Sequence, residues 1–135
     1  LLAVPIPGAS VKVLQVSKPV NGDFTCAMYE ASGNKYDLCW GQNNLGSSGQ
    51  SNHTYYGDSA GEIAGMSPIL LGTGRSPHMV SSGNSFSCAI LDNADLKCWG
   101  ANNYGQLGLG DNEEKGGTGA GSAMGDTLPA VDLGL

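Results

Sequence analysis

Charge is the first thing this chain is short of. Asp, Glu, Lys and Arg make up 13% of it, about half the usual quarter, too little for a long charged helix or coiled coil. Basic residues are scarcer still. Six Lys and Arg stand against twelve Asp and Glu, for a net charge of −6. Binding to nucleic acid through phosphate neutralisation needs the opposite balance, so no nucleic-acid partner is expected. Long apolar runs are missing as well. Nothing approaches the roughly 18 to 20 residues that span a bilayer, so no direct membrane span is expected. The opening Leu1–Pro7 is apolar but short, carries two prolines and lacks a basic flank, unlike an intact signal peptide or anchor. A chain that begins at Leu1 reads as a processed product or as a piece of something larger. Helical periodicity is absent throughout.

Glycine is abundant, with 22 of 135 residues against a usual share of roughly 7%. It does not recur as G-x-y, which excludes collagen. The hydrophobic fraction of 40% argues against a disordered acidic tail. Together these features describe a turn-rich, weakly acidic, all-β chain.

The four cysteines, Cys26, Cys39, Cys88 and Cys98, allow three pairings. None forms the short clusters of a zinc site or a C-x-x-C redox pair. Phe86–Leu91 and Leu96–Trp99 read as strands, and a three-residue loop at Asp92-Asn93-Ala94 sets Cys88 opposite Cys98. In the first half, a two-residue turn at Ser32-Gly33 pairs Ala31 with Asn34 and sets Cys26 opposite Cys39. Two hairpin disulfides are therefore expected, each worth about 2 to 3 kcal/mol. The alternative is four buried thiols of a cytosolic domain. Disulfides imply an extracellular site or an oxidising lumen.

The two halves repeat each other at an offset of about 60 residues. Phe24, Cys26, Ala27, Cys39, Trp40 and Gly41 correspond to Phe86, Cys88, Ala89, Cys98, Trp99 and Gly100. Asn43-Asn44-x-Gly46 returns as Asn102-Asn103-x-Gly105, and Ser67–Gly72 as Leu128–Gly134. The expected division is 1–74, a first repeat with a long insertion, and 75–135, a second repeat. Each is expected to hold three or four short strands, the fourth near Pro68–Leu71 or Pro129–Leu133. Phe24, Trp40, Phe86 and Trp99 are expected in the cores of these units.

The segment CWGANNYGQLGLGD, preceded by GNSFSCAILDNADLKC, resembles the repeat of the regulator of chromosome condensation family. The fit is looser in the first half, where Gly46-Ser47-Ser48-Gly49 stands in place of GQLG. With two cysteines per repeat and Met124–Gly134 as it stands, the chain is similar to a variant found in secreted bacterial and unicellular algal proteins. The resemblance implies a β-propeller, usually of seven four-stranded blades. This chain then holds two four-stranded propeller-like blades, an incomplete propeller. Repeat arrays bury each unit against its neighbours, so two blades leave two apolar faces uncovered. Three solutions are open: a fragment of a longer propeller, copies closing a six- or eight-bladed ring, or docking on a larger partner.

The search for chemistry yields little. The histidines are His53 and His78; neither has a triad or ligand partner at recognisable spacing, and no HExxH, GxSxG or P-loop pattern occurs. His53 is expected to be solvated and His78 structural or exposed. The acidic run Asp111–Glu114, with Asp126 beyond it, lacks the spacing of a calcium loop. No metal, cofactor or catalytic residue is expected, and the chain is read as non-enzymatic. Asn52-His53-Thr54 matches the glycosylation pattern, which makes Asn52 a candidate modification site. Tyr55 and Tyr56 lie outside the repeat match and are candidate interface residues.

The leading expectation is a protein-binding or structural subunit. Its partners would be other proteins covering the open blade faces, a membrane-protein complex among them, on an extracellular or lumenal side (thylakoid lumen or secretory pathway). The alternative is a fragment of a full propeller acting as a protein inhibitor or GTPase-regulating module, functions that the resemblance implies.

Overall fold

The structure is a computed structural model in which residues 10–119 and 121–134 are described. The Leu1–Pro7 segment and the outermost limits of the two expected units lie outside them. Among the described residues there are two antiparallel three-stranded sheets. The first contains β1 (Lys12–Ser17), β2 (Phe24–Ala31) and β3 (Asn34–Gly41); the second contains β4 (Pro77–Ser82), β5 (Phe86–Leu91) and β6 (Leu96–Gly100). Between them lies α1, the single turn Glu62–Gly65.

Local chemistry sets both hairpins. Ser32 and Gly33 take φ of 52° and 80°, the left-handed pair a two-residue hairpin turn requires. Ala31 consequently pairs with Asn34, and Cys26 with Cys39. In the second sheet Ala94 takes φ 68°, and Leu91 N–H donates to Asp95 O at 2.9 Å. That three-residue loop puts Cys88 opposite Cys98. Each hairpin is then joined covalently, Cys26 to Cys39 and Cys88 to Cys98. Each blade also carries a bulge at the same place, between Val13 and Gln15 in one and Pro77 and Met79 in the other.

The fourth strands do not form. The segments after Pro68 and Pro129 each meet their sheet through a single backbone bond: Ile69 N–H to Asp37 O at 2.9 Å, and Val131 N–H to Leu96 O at 2.7 Å. Pro68 and Pro129 have no N–H to extend the ladder, and Gly72 turns the first segment away at φ 132°. The blades are thus three-stranded, with an outer segment in the fourth position. The helical turn α1 was also unexpected, since four residues are too few to show a period. It is organised by Glu62, whose carboxylate accepts from Gly57 N–H at 2.8 Å and Ser59 N–H at 3.1 Å.

Glycine places the loops after each tryptophan. Gly41 and Gly100 take φ of 107° and 106°, and an added Cβ would lie 2.4 Å from Asp23 O or 2.5 Å from Ser85 O. Beyond them Asn43 and Asn102 are fully buried. Each caps the following turn through its side-chain oxygen, which accepts from Ser48 N–H or Leu107 N–H.

The main core lies between the blades. Phe24, Cys26, Met28 and Cys39 of the first sheet meet Val80, Ala89, Leu91 and Trp99 of the second, sealed at the outer edge by Ile69, Leu71 and Leu128. Nearer the inner strands, Gln15 bonds the backbone of Val80 through both ends of its amide, at 2.6 and 3.1 Å. A second, smaller core holds Tyr29, Leu38, Ile63 and Met66, with Trp40 and Tyr56 at its margin.

Candidate functional site

Strand alternation gives every blade two faces, and the repeat makes them comparable. One carries the disulfide and the first phenylalanine; the other carries the tryptophan. The first blade's disulfide face is closed by the second blade's tryptophan face. The second blade's disulfide face is turned outward. There Met79 and Ile90, opposed in the register, are 48% and 40% exposed. Phe86, Cys88 and Leu96 are half-buried beside them. Met28, the repeat counterpart of Ile90, is 6% exposed in the closed interface. Contiguous apolar surface of this kind marks an interaction site, and the second blade's face is the candidate docking surface. The alternation of Phe86, Cys88 and Ile90 was legible in the sequence. Met79 and Leu96 were missed, because nothing local tells which face of a strand has a neighbour.

The residues singled out from sequence fall in different places. Phe24 and Trp99 are deep in the inter-blade core, and Trp99 Nε1–H donates to Ser47 O at 3.2 Å. Trp40 and Phe86 are only half-buried, because they lie on the two faces that no blade of this chain covers. Tyr56 bridges Gly41 as Lys115 bridges Gly100, so it occupies a repeat position rather than an insertion. Its hydroxyl accepts from Asn52 Nδ2 at 2.8 Å. The nitrogen to which a glycan would be joined is therefore engaged, and Asn52 is half-buried. Tyr55 is exposed and bonded to Asn44. With Trp40, Tyr56, Asp23 and Asp58 it borders a shallow cleft of about 390 Å³.

His53 is not simply solvated: its Nε2 lies 2.6 Å from Glu114 Oε1, and Thr118 Oγ1 lies 3.5 Å from Nδ1. The order hydroxyl, imidazole, carboxylate suggests a nucleophile relay. Proton abstraction wants about 2.6 to 3.2 Å, however, and His53 and Thr118 lie on the surface. The group clasps a loop of the first blade to one of the second. At the same junction a Cβ on Gly46 would lie 2.4 Å from Gly117 N. His78 is exposed.

The acidic residues are spoken for as well. Asp111 accepts from Asn102, Glu113 N–H and Lys115 Nζ at 2.8 to 3.2 Å. Its pKa is lowered by the Glu113 N–H first and Lys115 next. Asp126 binds Thr73 Oγ1 at 2.6 Å and Thr73 N–H at 2.7 Å, which lowers its pKa too. Among the described residues no cluster of His, Cys, Asp or Glu is placed to hold a metal. No helix there is long and apolar enough to cross a membrane.

Asp37 differs from the rest. It is fully buried, and neither carboxylate oxygen has a hydrogen-bond partner among the described residues. Loss of solvent pushes its pKa up to about 8, since an unpaired charge is costly in an apolar setting.

Two comparisons with known proteins agree with this architecture. Residues 80–106, from β4 to the loop beyond β6, match the family model of the regulator of chromosome condensation (RCC1) repeat. Solved structures with the same fold include human WBSCR16, at 18% identity over 79% of this chain with a TM-score of 0.54. Another is a crystal structure of Kap60 bound to yeast RCC1 (Prp20), at 14% identity over 95% of this chain with a TM-score of 0.55. No curated protein sequence matches the chain. Fold and repeat together define the class, an all-β incomplete propeller of two blades, the second of which carries the matched RCC1 repeat. The chain spans about a quarter of the length of each solved relative. Two disulfides are compatible with an oxidising environment.

Proposed function

We propose that the chain is a non-enzymatic protein-binding subunit that docks on a larger assembly through the disulfide face of its second blade. The observation that carries this reading is the exposure of Met79 and Ile90 on a face whose first-blade counterpart is closed by protein. The two disulfides support a location outside the cell or in an organelle lumen, the thylakoid and secretory lumens included.

Photo-cross-linking with site-specific variants expressed in the source cells tests the reading. A photoreactive side chain at position 79 is expected to capture a protein partner, and the same group at position 55 is not. Capture from 55 alone would move the interface to the Tyr55 cleft. No capture from either position would end the docking reading.

A second reading draws on the solved relatives being about four times longer. In it the two blades belong to a full propeller that inhibits a protein or regulates a GTPase, and position 79 cross-links to further blades of its own chain.

A further inference from the structure

The junction inside the chain uses one face of each blade, and the two faces left over are the missing halves of the same junction. In the first sheet Val13 and Val16 oppose Tyr29 and Ala27, as Pro77 and Val80 oppose Leu91 and Ala89 in the second. Pro77 and Val80 are buried, whereas Val13 and Val16 are 46% and 60% exposed. The other end mirrors this. Leu71 lies two residues beyond the bond from Ile69 N–H to Asp37 O, and Leu133 two beyond the bond from Val131 N–H to Leu96 O. Met28 and Leu71 are 6% and 3% exposed, while their counterparts Ile90 and Leu133 are 40% and 63% exposed. What the molecule buries in its middle it therefore leaves open at its two ends.

The helical turn α1 is compatible with a neighbour on the first blade. On the second blade the turn Gly125–Thr127 holds the same place. Lys97, the counterpart of Leu38, donates from Nζ to Gly125 O at 2.9 Å, and Leu128 is buried as Met66 is. The first blade packs on the second with that turn in place. The polar contacts of the junction repeat unevenly. Trp99 Nε1–H donates to Ser47 O. Asn43 and Asn102 hold Ser48 N–H and Leu107 N–H, so Gln106 stands in the place of Ser47, and Trp40 in that of Trp99. Gln15, opposite Met28, bonds both backbone groups of Val80. Its counterpart is Met79, opposite Ile90, and a thioether can make neither bond.

We infer that the chain associates head to tail with further copies of itself. The disulfide face of one copy's second blade takes the tryptophan face of the next copy's first blade. This inference rests on the docking reading above and specifies its partner. A second copy is the occupant because each chain carries both halves of a junction it already forms internally. Between copies, Ile90 takes the part of Met28, Val16 that of Val80, and the Trp40 indole N–H donates to the backbone oxygen of Gln106. The contact is heterologous, so its repetition closes a ring or continues as a filament, according to the rotation between copies. With Met79 in place of Gln15 it keeps its apolar contacts and lacks two hydrogen bonds. It is therefore weaker than the junction inside the chain.

Analytical ultracentrifugation of the whole chain over a range of concentrations tests this. Wild-type protein is expected to pass reversibly from monomer to dimer and larger species, with Trp40 emission moving to the blue. Met79→Gln supplies the amide that the junction between copies lacks. It is expected to lower the concentration of half-assembly about tenfold, the effect of two net hydrogen bonds. Ile90→Asp and Val16→Asp change exposed positions, and near-UV circular dichroism checks that both are folded. Each is expected to stay monomeric alone. Mixed, they are expected to form a dimer and stop there, because one intact half remains on each chain. The same mixture of Ile90→Ser and Val16→Ser repeats the experiment without added charge. Self-association of Val16→Asp alone through Ile90 would mean a symmetric contact and overturn the inference. So would wild type and Met79→Gln that both remain monomeric. In that event, capture of a different protein from position 79 would leave the docking reading standing, and no capture would end both.

Discussion

The two repeats place the same residue types on the same faces, yet their burial differs sharply. Val80 is sealed in the interface, whereas Val16, at the equivalent position, is mostly exposed. Met28 is buried; Ile90 is not. Local structure cannot account for the difference, because the bulges, the disulfides, the glycines after each tryptophan and the buried asparagines repeat in register. The neighbour accounts for it. Each blade's burial, and therefore much of its stability, depends on what lies against it, as expected where units bury their cores between one another.

The largest expected contrast is between the tryptophans. Trp99→Ala removes a fully buried ring at the centre of the inter-blade core and should cost about 3 to 5 kcal/mol. Trp40→Ala removes a half-buried ring beside Gly57 and Ile63 and should cost roughly half as much. Urea denaturation of the two variants checks this, and equal losses would mean that Trp40 is packed as tightly as Trp99.

Disulfide removal comes next. With sequence separations of 13 and 10 residues, each bond should contribute about 3 kcal/mol through loop entropy. Paired Cys→Ser variants should therefore lose similar stability. Their accessibility separates them: Cys26 and Cys39 are fully buried, and Cys88 is half-exposed. Titration with a thiol reductant and mass mapping should show Cys88–Cys98 opening first, and protection of that bond on partner binding would locate the partner on this face.

The matched pair Met28→Ala and Ile90→Ala follows. The first should cost about 2 to 3 kcal/mol, and the second under about 1 kcal/mol in the isolated chain, since its side chain has little burial to lose. Thermal unfolding measures both.

Asp37 gives the effect with a pH signature. An ordinary Asp titrates near 3.9, and in the fold Asp37 is raised to about 8. The folded chain therefore favours the protonated form. The stability this contributes is full below about pH 4 and is lost as pH rises through about 8. Asp37→Leu, which installs the residue found at the repeat counterpart Leu96, should abolish that dependence and stabilise the chain at pH 8 by about 1 to 3 kcal/mol. Urea midpoints at pH 5 and pH 8 give the answer. A wild-type midpoint that rises with pH would mean that Asp37 has an ionised-state partner.

The hairpins show how far the residues themselves reach. Ser32-Gly33 and Asp92-Asn93-Ala94 have one sterically easy way to turn, and each turn sets a register that brings cysteine opposite cysteine. The repeat and the alternation of Phe86, Cys88 and Ile90 were readable for the same reason, since side-chain direction follows from strand period. The limits of that reading also have particular causes. Pro68 and Pro129 looked compatible with fourth strands, but a missing N–H leaves each segment one hydrogen bond. Tyr56 looked like an insertion residue until the bridge to Gly41 showed it to be the counterpart of Lys115.

The amino-acid order by itself determined the turns, the strand registers, the disulfide pairing and the two-blade repeat, because each depends on interactions between residues close along the chain. Which faces are closed was decided only in three dimensions. The cover for Tyr29 comes from Ile63 and Met66, more than thirty positions away, and the partner of the imidazole of His53 comes from the other repeat. The open face of Met79 and Ile90 shows the same dependence. Burial is a relation between surfaces, and a strand's own sequence carries no record of the surface that meets it.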